Sequence, residues 1–245
     1  MISLTMACLM TATINVAAQT ADGGKNNKKL KAQAFLCTQE WPEPAKYLSK
    51  PIATDSLAFM NDAYRYLWGK QQRRTPLGEL AAADEKAKPA QAFSAAVGFT
   101  VNSEEYPEIF KLVEGACKDA MGINIRSKNH FQRIRPFVYY GEPSLVSETD
   151  SIARESFGYP SGHATRGWVY ALTLALVVPD STEALIRRAQ EFSLNRVICG
   201  RHYKSDIEAS LIEANAIMCR LLSNEAFLAQ LSRARKEYAE MRGKR

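Results

Sequence analysis

Three short stretches of this chain concentrate residues suited to holding an oxyanion and moving a proton. The first runs from Lys128 to Pro136 (KNHFQRIRP). Lys128 and Arg135 are seven apart, so a continuous helix would set them about two turns apart on one face. Pro136 would then end that run, because proline removes a donor and biases its predecessor away from helix. Arg135 offers a planar fork of donors to an oxyanion, and Lys128 a mobile point charge. Alone, the stretch could equally be a solvated basic face. The second is Tyr159-Pro160-Ser161-Gly162-His163, leading into an apolar run. A Ser-Gly turn at a helix start presents free backbone N–H groups and the positive end of the helix dipole, which is an anion site. Ser161 adds a hydroxyl, Gly162 lets the backbone approach a ligand, and His163 stands at the mouth. Alone, it could be a helix cap followed by an incidental histidine. The third runs from Asn195-Arg196 through Gly200-Arg201-His202 to Asp206. His202 and Asp206 are four apart, on one face of a helix. An aspartate bonded to one imidazole nitrogen would fix the tautomer and leave the other as nucleophile or base. Of the 3 histidines in the chain, two fall in the second and third stretches, and His130 lies within the first.

The elements that must position these residues read as helices. Residues 55–72 place Leu57, Met60, Tyr64 and Leu67 at helical spacing, with Asp55 as the expected N-cap. Two short helices follow at 76–88 and 89–99. Residues 104–126 put Ile109, Leu112, Val113, Ala116, Ala120 and Met121 on one face. Residues 168–178 are apolar all round, so they predict a buried helix, too short to span a bilayer. Further helices are predicted at 182–199, 206–222 and 226–242. No alternating strand pattern or repeat interrupts them. The expected fold is all-α, a single compact multi-helix domain.

Bulk properties narrow the partners. The 245 residues are 46% hydrophobic and 24% charged, with net charge +6 and a pI near 9.0. That balance suits an anionic partner, but no Lys/Arg stripe interleaved with aromatics suggests nucleic acid. Residues 1–18 are uncharged and end in Val16-Ala17-Ala18, which fits a signal peptidase site. The reading is a cleaved signal peptide over 1–18, a flexible leader over 19–44 and the functional domain over 45–245, in a secreted or periplasmic protein. Lipidation at Cys8 fits poorly, since Thr5-Met6-Ala7 is a weak lead-in. Cleavage would leave Cys37, Cys117, Cys199 and Cys219, which permit zero, one or two disulfides. No pair has CxxC spacing, so no zinc site is expected.

Taken together, Lys128-x6-Arg135-Pro136, Pro160-Ser161-Gly162-His163 and Arg196-x5-His202-x3-Asp206 resemble the tripartite signature of the type 2 phosphatidic acid phosphatase superfamily, which also holds the vanadium haloperoxidases. DSLAFMNDAYRY, GELAAADE, AFSAAVG, FQRIRPFVYYG, GYPSGHATRGW and RVICGRHYKSD resemble stretches of the class A bacterial nonspecific acid phosphatases, over roughly residues 45–240. That resemblance implies hydrolysis of small phosphate monoesters, without metal or cofactor, by a homodimer. It implies that Lys128, Arg135, Arg196, Ser161 and Gly162 bind the phosphoryl group. His202 would attack phosphorus, Asp206 would orient its ring and His163 would protonate the leaving alcohol. Two positions depart from the family pattern: Asn195 stands where Ser is usual, and Tyr203 where Trp is common. If His163 titrates near its ordinary value of about 6.5, activity should fall above neutrality. Three alternatives compete. An integral-membrane lipid phosphatase lacks the apolar spans here, a haloperoxidase would need vanadate, and a phosphate-binding module would have no use for the His202–Asp206 pair. Substrate breadth, nucleotide preference and transfer to other alcohols stay open.

Overall fold

The computed structural model describes residues 31–243. Among these residues there are twelve α-helices and no strand, so the all-α reading holds. They are α1 (Pro44–Tyr47), α2 (Phe59–Gln72), α3 (Pro76–Lys86), α4 (Pro89–Ala92), α5 (Ser94–Val97) and α6 (Pro107–Phe131). There follow α7 (Pro136–Tyr139), α8 (Asp150–Arg154), α9 (Gly162–Ala175), α10 (Thr182–Ile198), α11 (Lys204–Leu222) and α12 (Glu225–Gly243). No helix of the described residues is long and apolar enough to cross a membrane.

The apolar α9 is the axis of the fold, packed among α6, α10 and α11. Trp168, Val169, Tyr170, Ala171 and Leu174 are all buried, as an all-round apolar pattern demands. α6 turns Ile109, Leu112, Val113, Ala116 and Ala120 inward as the spacing predicts, while Met121 is half exposed. Polar bonds tie three of these helices together. The buried Glu213 of α11 accepts from Asn124 (2.7 Å) and Ser127 (2.5 Å) of α6 and from Thr165 (2.8 Å) of α9. A carboxylate with three donors satisfies the rule that buried charge must be hydrogen-bonded.

Three local expectations change. α2 begins at Phe59 rather than beside Asp55, and its inward face is Phe59, Asp62, Tyr66 and Gly69. Leu57, Met60, Tyr64 and Leu67 share a face as predicted, but that face looks outward, with exposures of 85, 67, 63 and 55%. The helix carrying Lys128 stops at Phe131, because Gln132 takes a left-handed conformation (φ 52°) and its N–H returns to the Lys128 carbonyl. Arg135 therefore sits on an extended link (φ −73°, ψ 151°) before α7, not two turns further along one helix.

The described part of the 19–44 segment is packed rather than free. The Phe35 and Leu36 amides donate to the buried Asp119 carboxylate at 2.8 and 3.1 Å, and Lys118 donates to the Ala32 carbonyl at 2.6 Å. These partners satisfy an irregular backbone against α6. The proposed signal peptide lies outside the described residues. Cys117 and Cys199 are buried, Cys37 and Cys219 exposed, and all four are free thiols.

Candidate active site

The three stretches meet in one cavity of about 560 Å³, lined among others by Lys128, Arg135, Gly162, His163, Arg196 and His202. Lys128 comes from the last turn of α6, Gly162 and His163 from the first turn of α9, and Arg196 from the last turn of α10. His202 lies in the link between α10 and α11. Gly200, at φ 78°, makes that link possible, since a side chain there would be strained. Ser161 and Asp206 do not line the cavity. Ser161 is fully buried as the N-cap of α9, its Oγ accepting from the Ala164 N–H at 3.4 Å. Gly162 packs so closely on α6 that a Cβ would lie 2.8 Å from Asn124 Oδ1.

The His202 ring is held from both sides. Its Nδ1 lies 2.8 Å from the Gly158 carbonyl, which can only accept, so Nδ1 carries the proton. Its Nε2 lies 3.0 Å from Arg135 Nη1, which can only donate, so Nε2 is unprotonated and its lone pair accepts from Arg135 at the cavity wall. This is the tautomer a nucleophilic imidazole needs. The expected His202–Asp206 hydrogen bond is absent. Asp206 Oδ2 stands 3.6 Å from Nδ1, beyond hydrogen-bond range, because His202 precedes α11 instead of lying on its face. Asp206 instead accepts from the Tyr203 N–H (2.8 Å) and from Arg133 Nη1 (2.6 Å). Its bond to the Tyr203 N–H shapes the turn that follows His202.

The loop before α9 is held, residue after residue, by two of these side chains and by the backbone of Arg133. Arg135 donates to the Ser156 carbonyl (2.9 Å) and hydroxyl (2.8 Å). Lys128 Nζ donates to the Phe157 carbonyl at 2.5 Å, and the Gly158 N–H donates to the Arg133 carbonyl at 2.7 Å. The cations thus fix the loop that orients His202.

Electrostatically the cavity is a cluster of positive charge. Burial, then Arg135 and Arg196, push the Lys128 ammonium down to about 7, against the opposing pull of Asp206 and Glu213. Burial, then Arg196 and Arg201, push Arg135 down to about 10. His163 is held well below its ordinary range by burial and by Arg196, Arg166, Arg135 and Lys128. The expectation of an unperturbed His163 is corrected: burial and these cations disfavour its protonated form. His202 is lowered in the same way, chiefly by burial. Burial lifts Asp206 to about 6 despite Arg133.

Sequence reasoning passed over several participants. Arg133, two residues before Arg135, pairs with Asp62 (2.8 Å) and Asp206 (2.6 Å) behind the site and stacks on Tyr203. Arg166 and Arg201 also line the cavity, as does Glu85 of α3, which is ion-paired with Arg196. The string QRIRP shows two arginines, but nothing in its spacing says which one meets a carboxylate far away in sequence. Asn195 donates to Asp84 at 2.7 Å and does not line the cavity. Tyr203 lines a separate cavity with His130, so neither residue forms the wall of the site.

Residues 112–224 match the PAP2 superfamily. The chain is 36% identical over 199 residues to a non-specific acid phosphatase of Providencia stuartii, spanning 80% of each protein. It is 31% identical over 211 residues to a non-specific acid phosphatase of Salmonella typhi, spanning 84% of each. It is also similar to an acid phosphatase of Zymomonas mobilis, 30% identical over 207 residues, which cover 82% of this chain and 77% of that one.

Proposed function

The chain belongs to the PAP2 superfamily, among its bacterial non-specific acid phosphatases, and on that premise we propose that it hydrolyses phosphate monoesters through a phosphohistidine intermediate without a metal. The observation that carries this reading is the His202 imidazole, protonated at Nδ1 and unprotonated at Nε2, in a cavity lined by Lys128, Arg135 and Arg196; an arriving phosphoryl group would take over the Arg135 donor and free the Nε2 lone pair. Phosphoryl transfer needs in-line geometry and neutralisation of charge spreading over the equatorial oxygens, and three cations with the N-terminus of α9 can supply it. His202 Nε2 forms a bond to phosphorus as the ester P–O bond breaks. His163 gives its proton to the departing alkoxide. Water, deprotonated by His163, then attacks phosphorus, breaks the P–N bond and releases inorganic phosphate. A phosphate dianion brings into the cation cluster the negative charge that raises His163 into a useful range. Ser161 keeps the α9 terminus in shape for the phosphoryl oxygens.

Exposed Met121, Ile125 and Ile152 along the cavity support a broad range of organic phosphates, nucleotides included, and room for another alcohol to replace water. A homodimer is part of the same reading. The outward face of Leu57, Met60, Tyr64 and Leu67 supports it, because an antiparallel pairing of α2 would bring Asp55 of one copy towards Lys70 and Arg74 of the other. Export with cleavage after Ala18 completes it, to be checked by the mass of the mature protein.

The deciding assay uses the mature protein with a chromogenic phosphomonoester at about pH 6, in EDTA, beside His202→Ala. Turnover by the parent alone, with acid-labile phosphate trapped on the parent and not on the variant, is the expected result. Equal turnover by both would refute the assigned nucleophile. Inactivity of both would remove the hydrolase reading.

A further inference from the structure

Glu85 is an anion inside a site built for anions. It closes the last turn of α3, lines the cavity and pairs through Oε2 with Arg196 Nη2, with only 12% of its side chain exposed. The remaining Arg196 donors, Nε and Nη1, are buried and have no partner among the described residues. Arg166 Nε, also at the cavity, is in the same condition. Buried donors of this kind await an acceptor.

The position of Glu85 is enforced by its neighbour. Asp84 is buried, accepting from Arg188 Nη2 at 2.5 Å and from Asn195 Nδ2 at 2.7 Å, both on α10. Because Asn195 precedes Arg196, the Asp84 clamp locks α3 to α10 at the point where Glu85 meets the guanidinium. A flexible rim carboxylate would swing into water, whereas this one is held on its cation. Resting on the phosphate-site reading above, we propose that Glu85 is an internal competitor for the phosphoryl group: it holds Arg196 Nη2 and sets a negative charge beside the two donors left for phosphate, and so weakens product binding and hastens release. Catalysis gains from such a residue because tight product binding limits turnover, while a like charge beside the phosphate disfavours the bound ground state.

A residue that only propped Arg196 in place would act with the opposite sign, and that makes the idea testable. Binding of inorganic phosphate to the full mature chain would be measured by calorimetry and as product inhibition, for the parent, Glu85→Gln and Glu85→Asp. Glu85→Gln keeps the shape and removes the charge, so its phosphate Kd and inhibition constant should fall about tenfold, with KM falling too. Glu85→Asp, with a shorter reach, should fall between the two and guards against a folding defect in the first variant. Unchanged or weaker phosphate binding in Glu85→Gln overturns the proposal while leaving the hydrolase reading intact. A parent that neither binds phosphate nor turns over an ester overturns both.

Discussion

Arg133 and Arg135 are two residues apart and equally buried, yet they do opposite work. Arg133 turns to the rear of the site, where Asp62 and Asp206 meet its two terminal nitrogens and Ser205 accepts a further bond at 2.7 Å. Arg135 turns to the front, where its partners are the Ser156 carbonyl and hydroxyl, the Arg201 carbonyl and the His202 ring, and no carboxylate among the described residues pairs with it. Behind the site the cation has carboxylate partners within the protein. For Arg135 in the cavity the balancing charge has to arrive with a ligand. A buried cation with its own anions holds structure together, whereas one left among other cations is free to meet the charge of a ligand.

The largest effects should come from breaking the rear network. Arg133→Met strands two buried carboxylates and should cost about 3–5 kcal/mol of unfolding free energy, read by denaturant melts. Arg135→Met should cost less stability than Arg133→Met, because relief of repulsion among neighbouring cations offsets part of the loss of the Arg135 bonds to Ser156, Arg201 and His202. It should nevertheless lower kcat/KM by about 10²–10³-fold, the scale for removing a donor that meets transition-state charge. If Arg135→Met proved the more unstable of the two, the division between rear and front would be wrong. Next in size is the ligand's own effect. Inorganic phosphate at about 100 times its Kd should raise parent stability by about 2.7 kcal/mol, and an equal concentration should do much less for Arg135→Met.

A smaller, sharper test is pH. Lys128 is lowered to about 7 in the fold against an ordinary value of about 10.4 in the unfolded chain. Between those values the unfolded chain binds more protons, so this group makes stability rise with pH, while no slope from it remains below both. Activity should move the other way, because above about pH 7 the free enzyme loses a phosphate-binding cation. The alkaline limb of kcat/KM should therefore sit near pH 7 in the parent and higher in Lys128→Arg. Coincident limbs would exclude Lys128 as its source. Smallest of all, Met60→Glu on the outward face of α2 should change monomer stability by no more than about 0.5 kcal/mol while shifting light scattering from dimer to monomer.

Much of the fold is legible in the chain's own pattern. Helical periodicity carries it because burial enforces that periodicity, as the all-round apolar 168–178 run and the inward face of α6 show. Periodicity also locates the shared face of Leu57, Met60, Tyr64 and Leu67, but spacing carries no direction. The opposite face of α2 turns inward because it carries Asp62 to Arg133 and stacks Tyr66 on Tyr140. Likewise the four-residue spacing of His202 and Asp206 suggests a hydrogen bond that the helix start at Lys204 withholds.

The sequence alone determined which side chains could do chemistry: three cations suited to an oxyanion, two histidines and a glycine-led helix start, each visible as a residue type in a short string. Tertiary structure decided which cations stay uncompensated, which nitrogen of His202 stays unprotonated, and that Glu85 shares the cavity. Those outcomes depend on contacts between residues tens of positions apart, such as Arg133 with Asp62, His202 with Gly158 and Arg196 with Glu85. Local pattern reports the preferences of a segment, but the charge balance of a buried site is a sum over everything folded around it.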